Sequence, residues 1–188
     1  MGVRKGTNGY IRRKKRWQLL MTVVIAAVSV GLFLLGWLAV GTTKNLLTVV
    51  AVLGALPAAK ALVGYIMFLP YKSFDENEFA LLRMAGEKNE SGHIYSDLVF
   101  TSPQSVMHLD ALYVVGKELV GLRLADEKAK KQGEIVTYFT DSLKKRGVTV
   151  HMHIFKTPAE MLERIESLSD RNEEIPEEIT EFIRMILA

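Results

Sequence analysis

The sequence predicts a two-helix membrane hairpin followed by an α/β domain, a mixed sheet of about four strands with helices on both faces in the order α-β-β-β-α-β-α-α. Three observations carry this. Two long apolar runs fill Trp17 to Pro70, parted only by Gly41-Thr42-Thr43-Lys44-Asn45. Charge changes sign at the same boundary: residues 1–72 hold ten Lys or Arg and no Asp or Glu, leaving fourteen basic residues against all twenty-one acidic ones in 73–188. Beyond residue 72 the apolar period alternates between helical and strand values in blocks of element length.

Residues 1–16 read as a flexible basic tail ending in Arg12, Arg13, Lys14, Lys15 and Arg16. Such a run beside an apolar segment is a positive-inside signal that holds the N-terminus in the cytosol. Trp17–Val40 then gives 24 residues without a charge, long enough for the ~30 Å hydrocarbon core and too long for the apolar region of a signal peptide. The five-residue link forces the second helix, about 46–70, to return antiparallel beside the first. Small residues four apart, Ala27/Gly31 and Gly54/Ala58, offer the close approach. Two crossings from a cytosolic start place both termini in the cytoplasm, in a two-pass protein of the cell membrane, with residues 17–72 as the hairpin and 73–188 as the cytosolic domain.

Lys60 is the exception in these spans. It lies ten residues before Pro70, near the midplane, where a charge costs at least ~2.5 kcal/mol unless it snorkels or is paired. No acid exists in either span, so its partner is expected from a carbonyl, water, lipid or another subunit. A homo-oligomer or a partner protein bound through the hairpin is the matching expectation, besides the lipid bilayer itself.

In the domain, Ser73 and Glu76 have the form of a capping box opening a helix to about Lys88. Strands follow at His93–Thr101, Val106–Val115 and Leu119–Ala125, the last two joined by Gly116-Lys117 as a two-residue type II′ hairpin. Asp126 suits the cap of a helix ending before Gly147, with Ile135, Val136, Phe139 and Leu143 as its apolar stripe. Val148, Val150, Met152 and Ile154 define one face of a fourth strand. Thr157-Pro158-Ala159-Glu160 starts a helix to about Leu168, and Pro176 starts a last one carrying Ile179, Phe182, Ile183 and Ile186.

This element order, together with Leu109-Asp110-Ala111-Leu112-Tyr113-Val114 and Val120-Gly121-Leu122-Arg123-Leu124, resembles the PD-(D/E)XK nuclease-like superfamily, above all its membrane-associated NERD-type domains, over residues 75–156. The resemblance implies an Asp in the second strand and Glu-x-Lys in the third, the carboxylates holding a divalent metal and the Lys steadying the hydrolytic water or phosphate. Asp110 takes the place of the Asp, while Gly121 stands where the Glu belongs and Arg123 where the Lys belongs. Losing one of two carboxylates implies a domain without catalysis. Activity would need Mg²⁺ and a migrated acid beside Asp110 and Arg123, with Glu118, Asp126, Glu127 and Glu134 as the choices.

The hairpin register gives Asp110 and Arg123 a different role. With Gly116-Lys117 as the turn they face each other directly, as a cross-strand ion pair worth ~0.2–1 kcal/mol. His151 and His153 share a strand face but lack a third ligand, so no metal site is expected. Lys128, Lys130, Lys131, Lys144, Lys145 and Arg146 decorate both ends of one helix as a solvated face. A domain with seven more acids than bases disfavours nucleic acid, and no cysteine exists to form a disulfide, a thiolate nucleophile or a cysteine zinc site. The expected function is that of a membrane-anchored, non-catalytic, nuclease-like module for protein interaction or scaffolding, without a cofactor.

Overall fold

A computed structural model describes residues 6–71, 73–101, 106–124, 129–171 and 173–187, the side chains of 129–131 excepted. The chain divides into two units, Ile11–Lys72 and Met1–Tyr10 with Ser73–Ala188.

Helix α1 spans Tyr10–Val40 and α2 spans Leu46–Phe68. At ~1.5 Å per residue both exceed the ~30 Å apolar layer of a bilayer. Only 11% of the apolar window of each is buried, so neither is the core helix of a soluble fold, and Leu35, Leu38, Val52 and Leu56 all point outward. The helix already begins at Tyr10. The basic run Arg12–Arg16 therefore forms the first turns of α1 and is not part of an irregular tail.

Gly41, at a φ of 71°, stops α1 and donates its N–H to the Trp37 carbonyl at 2.8 Å. Asn45 caps α2, its Oδ1 accepting from the Thr48 N–H at 2.8 Å while its Nδ2 donates to the Thr42 carbonyl at 2.7 Å. The helices touch where Gly36 meets Leu47, Ser29 meets Gly54 and Gln18 meets Gly64. Ala51 and Ala58 are buried with them. The expected pair on the first helix is corrected here, since Gly31 faces open space and Ala27 is exposed; the small residues that allow approach are Gly36 and those of α2. At the other end Lys15 donates its ammonium to the carbonyls of Leu69, at 2.9 Å, and Tyr71. Both carbonyls lie just past the end of α2, Leu69 as its C-cap and Tyr71 three residues beyond Phe68.

The domain opens with α3, Glu76–Gly86. Its cap is Asp75, not Ser73: the carboxylate takes the N–H groups of both Asn77 and Glu78, at 2.9 and 3.2 Å, and sets a negative charge at the helix N-terminus. Strands β1 (His93–Thr101), β2 (Val106–Val115) and β3 (Glu118–Leu122) form an antiparallel meander. After α4 (Ala129–Lys144), β4 (His151–Phe155) adds parallel to β3, giving a mixed sheet in the order β1-β2-β3-β4. The Asp126 cap expected for α4 falls outside the described residues. Val115 faces Glu118, Tyr113 faces Val120 and Ala111 faces Leu122, the register set by the Gly116-Lys117 turn. Helices α5 (Pro158–Ser167) and α6 (Glu177–Leu187) complete the unit.

Helices cover both faces of the sheet. On one, Ile135, Phe139 and Leu143 of α4 and Ile179, Phe182 and Ile183 of α6 pack on Leu112, Val114, Leu119 and Met152. On the other, Leu82 and Ala85 of α3 and Met161 and Ile165 of α5 pack on Ala111, Tyr113, Val120 and Leu122. Buried Asn89 ties the end of α3 to the end of α5, donating to the carbonyls of Leu168, Ser169 and Arg171 at 3.2, 3.2 and 2.7 Å.

Two glycines make opposite predictions. Gly133 lies inside α4 with nothing within 4 Å of a Cβ, so Gly133→Ala should raise stability by about 0.5–1 kcal/mol. A Cβ on Gly92 would overlap the Tyr113 hydroxyl, so Gly92→Ala should lower stability by about 1–3 kcal/mol. Thermal unfolding of the two variants against wild type checks both signs.

Candidate functional site

A buried polar cluster sits where the sheet breaks its own alternation. Along β1 both Tyr95 and Leu98 reach the α4/α6 core, and along β2 both Leu109 and Leu112 do so. Each pair is three residues apart, so each strand exchanges its faces once in between. The exchange falls on the same rung: the ladder pairs Ser96 with Ala111 and Leu98 with Leu109, and omits Asp97 and Asp110 between them. Asp97 adopts a φ of 53°, the one described non-glycine residue with positive φ. Aspartate tolerates this region better than most side chains, at a cost of order 1 kcal/mol.

Four polar side chains gather there, Asp97, His108, Asp110 and Arg123, each 1 to 6% exposed. Asp97 Oδ1 accepts from the Phe74 N–H at 3.0 Å, which fixes the chain leading into α3. Asp110 Oδ2 accepts from the Leu124 N–H at 2.7 Å, and its Oδ1 lies 3.9 Å from His108 Nε2. Arg123 is anchored by its backbone, donating to the Phe155 carbonyl at 2.9 Å. Its Nε is buried without a hydrogen bond. Asp110 and Arg123 are thus neighbours as the register requires, but they interact by charge across the break without a direct salt bridge.

Burial dominates the protonation of this cluster. It lowers the pKa of His108 to about 4, helped by the Arg123 charge and opposed by Asp97, so the imidazole is neutral at pH 7. Burial likewise raises that of Asp110, against the Leu124 N–H and the Arg123 charge, which favour the carboxylate.

As a metal centre the cluster does not fit. Asp110 has one oxygen on an amide and the Arg123 guanidinium beside it, which repels a cation. A Cβ at Gly121 would lie 3.3 to 3.6 Å from Ile154, Leu109 and Met152, so this position faces core side chains. Among the described residues no group of three or more His, Asp or Glu is arranged to hold an ion.

The other sequence candidates lie apart. Glu118, at the start of β3, is nearly buried and pairs with Arg164 at 3.1 Å and Arg171 at 3.5 Å; Arg123, just past the other end, is five positions on, roughly 16 Å of extended chain. His151 and His153 are exposed on β4. Arg146 reaches Glu181 at 3.9 Å and lies 6.0 Å over the Phe182 ring. Asp126, Glu127 and the side chains of Lys128, Lys130 and Lys131 are outside the described residues. Glu134 is on α4, and Lys60, on α2, is exposed with no hydrogen bond or ion pair among the described residues. Sequence reading missed Asp97 and His108: alternation puts His108 on the face of Asp110, two residues on, but nothing in the sequence sets the β1–β2 register that brings Asp97 opposite Asp110.

An open cleft of about 560 Å³ lies on the same domain, lined by Asn8, Glu76, Phe79, Arg83, Glu87 and His93 among others. Its charges are of both signs, with Arg83 and Glu87 paired at 2.7 Å. Beneath Gly86 and Gly92, which line it, the Tyr113 hydroxyl is buried without a hydrogen bond.

Comparison with protein-family models, curated proteins and solved structures finds no match to the chain.

The His108 shift fixes a pH dependence. Its folded pKa lies below the unfolded 6.5, so the unfolded chain binds a proton that the folded one refuses. Stability is fully present above pH 6.5 and falls as the pH drops towards 4, by at most about 3 kcal/mol. Asp110, shifted upward, acts in the opposite sense. In unfolding curves from pH 7 to 4, His108→Gln should therefore lose less stability than wild type over that window.

Proposed function

We propose that this chain is a two-pass protein of the cell membrane whose domain lies in the cytoplasm and works as a non-catalytic interaction or scaffolding module, nuclease-like in architecture. The observation that carries the non-catalytic reading is the packing at Gly121. Where the resembling enzymes need a second carboxylate, the Cβ direction runs into Leu109, Met152 and Ile154, and the remaining Asp110 is closed off from solvent. The order of strands, three antiparallel and a fourth parallel to the third after a helix, is consistent with a nuclease-like ancestry. The outward apolar surfaces of α1 and α2 support membrane insertion. The basic turns Arg12–Arg16 at the start of α1 support a cytosolic N-terminus.

A metal-dependent phosphodiester hydrolase built on Asp110 is the contrasting outcome. The purified full chain should leave DNA and RNA intact with Mg²⁺ or Mn²⁺; cleavage lost in Asp110→Ala would overturn the non-catalytic reading. The cysteine-free background allows topology to be read directly. Thr43→Cys should react with an impermeant maleimide on intact cells, and Glu174→Cys only after lysis. The reverse pattern would place the domain outside, and reaction of both on intact cells would remove the hairpin reading.

A further inference from the structure

Lys60 is the only charged residue from Leu46 to Pro70. Given the membrane insertion proposed above, it lies eight residues from Phe68 and fourteen from Leu46, about 12 and 21 Å from the two ends of α2. Helical Cα–Cβ bonds tilt toward the N-terminus, here toward the farther end. Snorkelling to the nearer interface therefore works against the side chain's own direction.

Its neighbours form a seam. Leu53, Leu56, Val63 and Met67 are 59, 64, 65 and 47% exposed, and with Lys60 they follow the three-four spacing of a helix-docking stripe. Helix α1 does not cover it, since α1 meets α2 through Gly54 and Gly64. The seam also holds an acceptor. Pro57, one turn before Lys60, has no N–H for the carbonyl of Leu53, itself a seam residue.

We infer that this seam docks a transmembrane helix of a different protein, one that carries a single Asp or Glu at the depth of Lys60. Charge decides the occupant. Residues 1–72 contain no acid, so a second copy packed seam to seam would set Lys60 against Lys60 in a medium that screens poorly. A carboxyl-bearing helix instead neutralises the ammonium, and in its protonated form it can donate to the Leu53 carbonyl. The remaining seam residues supply the van der Waals packing that holds helices together in lipid.

The test uses the full chain, labelled with a donor fluorophore at Thr43→Cys and reconstituted into phosphatidylcholine vesicles. Acceptor-labelled synthetic helices of about 21 Leu and Ala residues carry Asp, Lys or Leu at the centre. Energy transfer with the Asp helix should set in at roughly tenfold lower peptide density than with the Leu helix. Lys60→Leu should erase that difference, and Lys60→Asp should move the preference to the Lys helix. Equal transfer to the Asp and Leu helices, or stronger association with a second copy of the chain than with the Asp helix, overturns the inference. Alkaline extraction of the same vesicles reports insertion separately. A chain released at high pH fails the membrane reading itself, whereas a retained chain without an Asp preference fails only the Lys60 pairing.

Discussion

The sheet is covered by helices on both faces, and each strand must deliver apolar side chains to both. A strand's period of two allows no change of face without a change of register, unless both partners change at once. That is what the opposed residues Asp97 and Asp110 do. The pairing before and after them keeps one register, yet the apolar sets of β1 and β2 switch faces together. Tyr95, Leu98, Leu109 and Leu112 thereby reach one core, while Ile94, Ala111 and Tyr113 reach the other. The two carboxylates left at the break are stabilised by backbone amides outside the ladder, those of Phe74 and Leu124. The polar cluster is thus a consequence of how the two cores are fed.

Charge is used differently in the two units. In the domain, buried carboxylates are held locally. Glu118 sits between two arginines, and Asp110 beside a third that has few hydrogen bonds of its own. Removing one member of such a set would leave the other buried and uncompensated, which costs far more than the pair contributes. In the hairpin there are no acids, and one cation is matched instead to backbone carbonyls. Lys15 does this at the C-terminal end of α2, where the helix dipole is also favourable to it.

Much of the fold was legible in the sequence because its signals are local. Gly116-Lys117 set the β2–β3 register, and the run Thr157 to Glu160 set the start of α5, where Thr157 Oγ1 accepts from the Glu160 N–H at 3.3 Å. The cap of α3 was misread because Ser73 and Asp75 both have the right chemistry, and the choice depends on where the chain is pinned, by Phe74 to Asp97. The candidate site was half legible. Turn geometry brings Asp110 to Arg123, but nothing local announces that β1 and β2 exchange faces, so Asp97 stayed hidden, and His108, two residues from Asp110 on one strand, gave no local sign of its burial. Asn89 with Leu168 and Glu118 with Arg164 were equally unreadable, since their partners lie 79 and 46 residues away.

The bonds from Lys15 have a consequence for how the hairpin is made. They join residues 54 and 56 positions apart, the first turns of α1 to carbonyls just past the end of α2. A ribosome makes the lysine long before the carbonyls it will hold, so the contact cannot form while either helix stands alone. The contact that closes the hairpin at its open end therefore waits until both helices have been made.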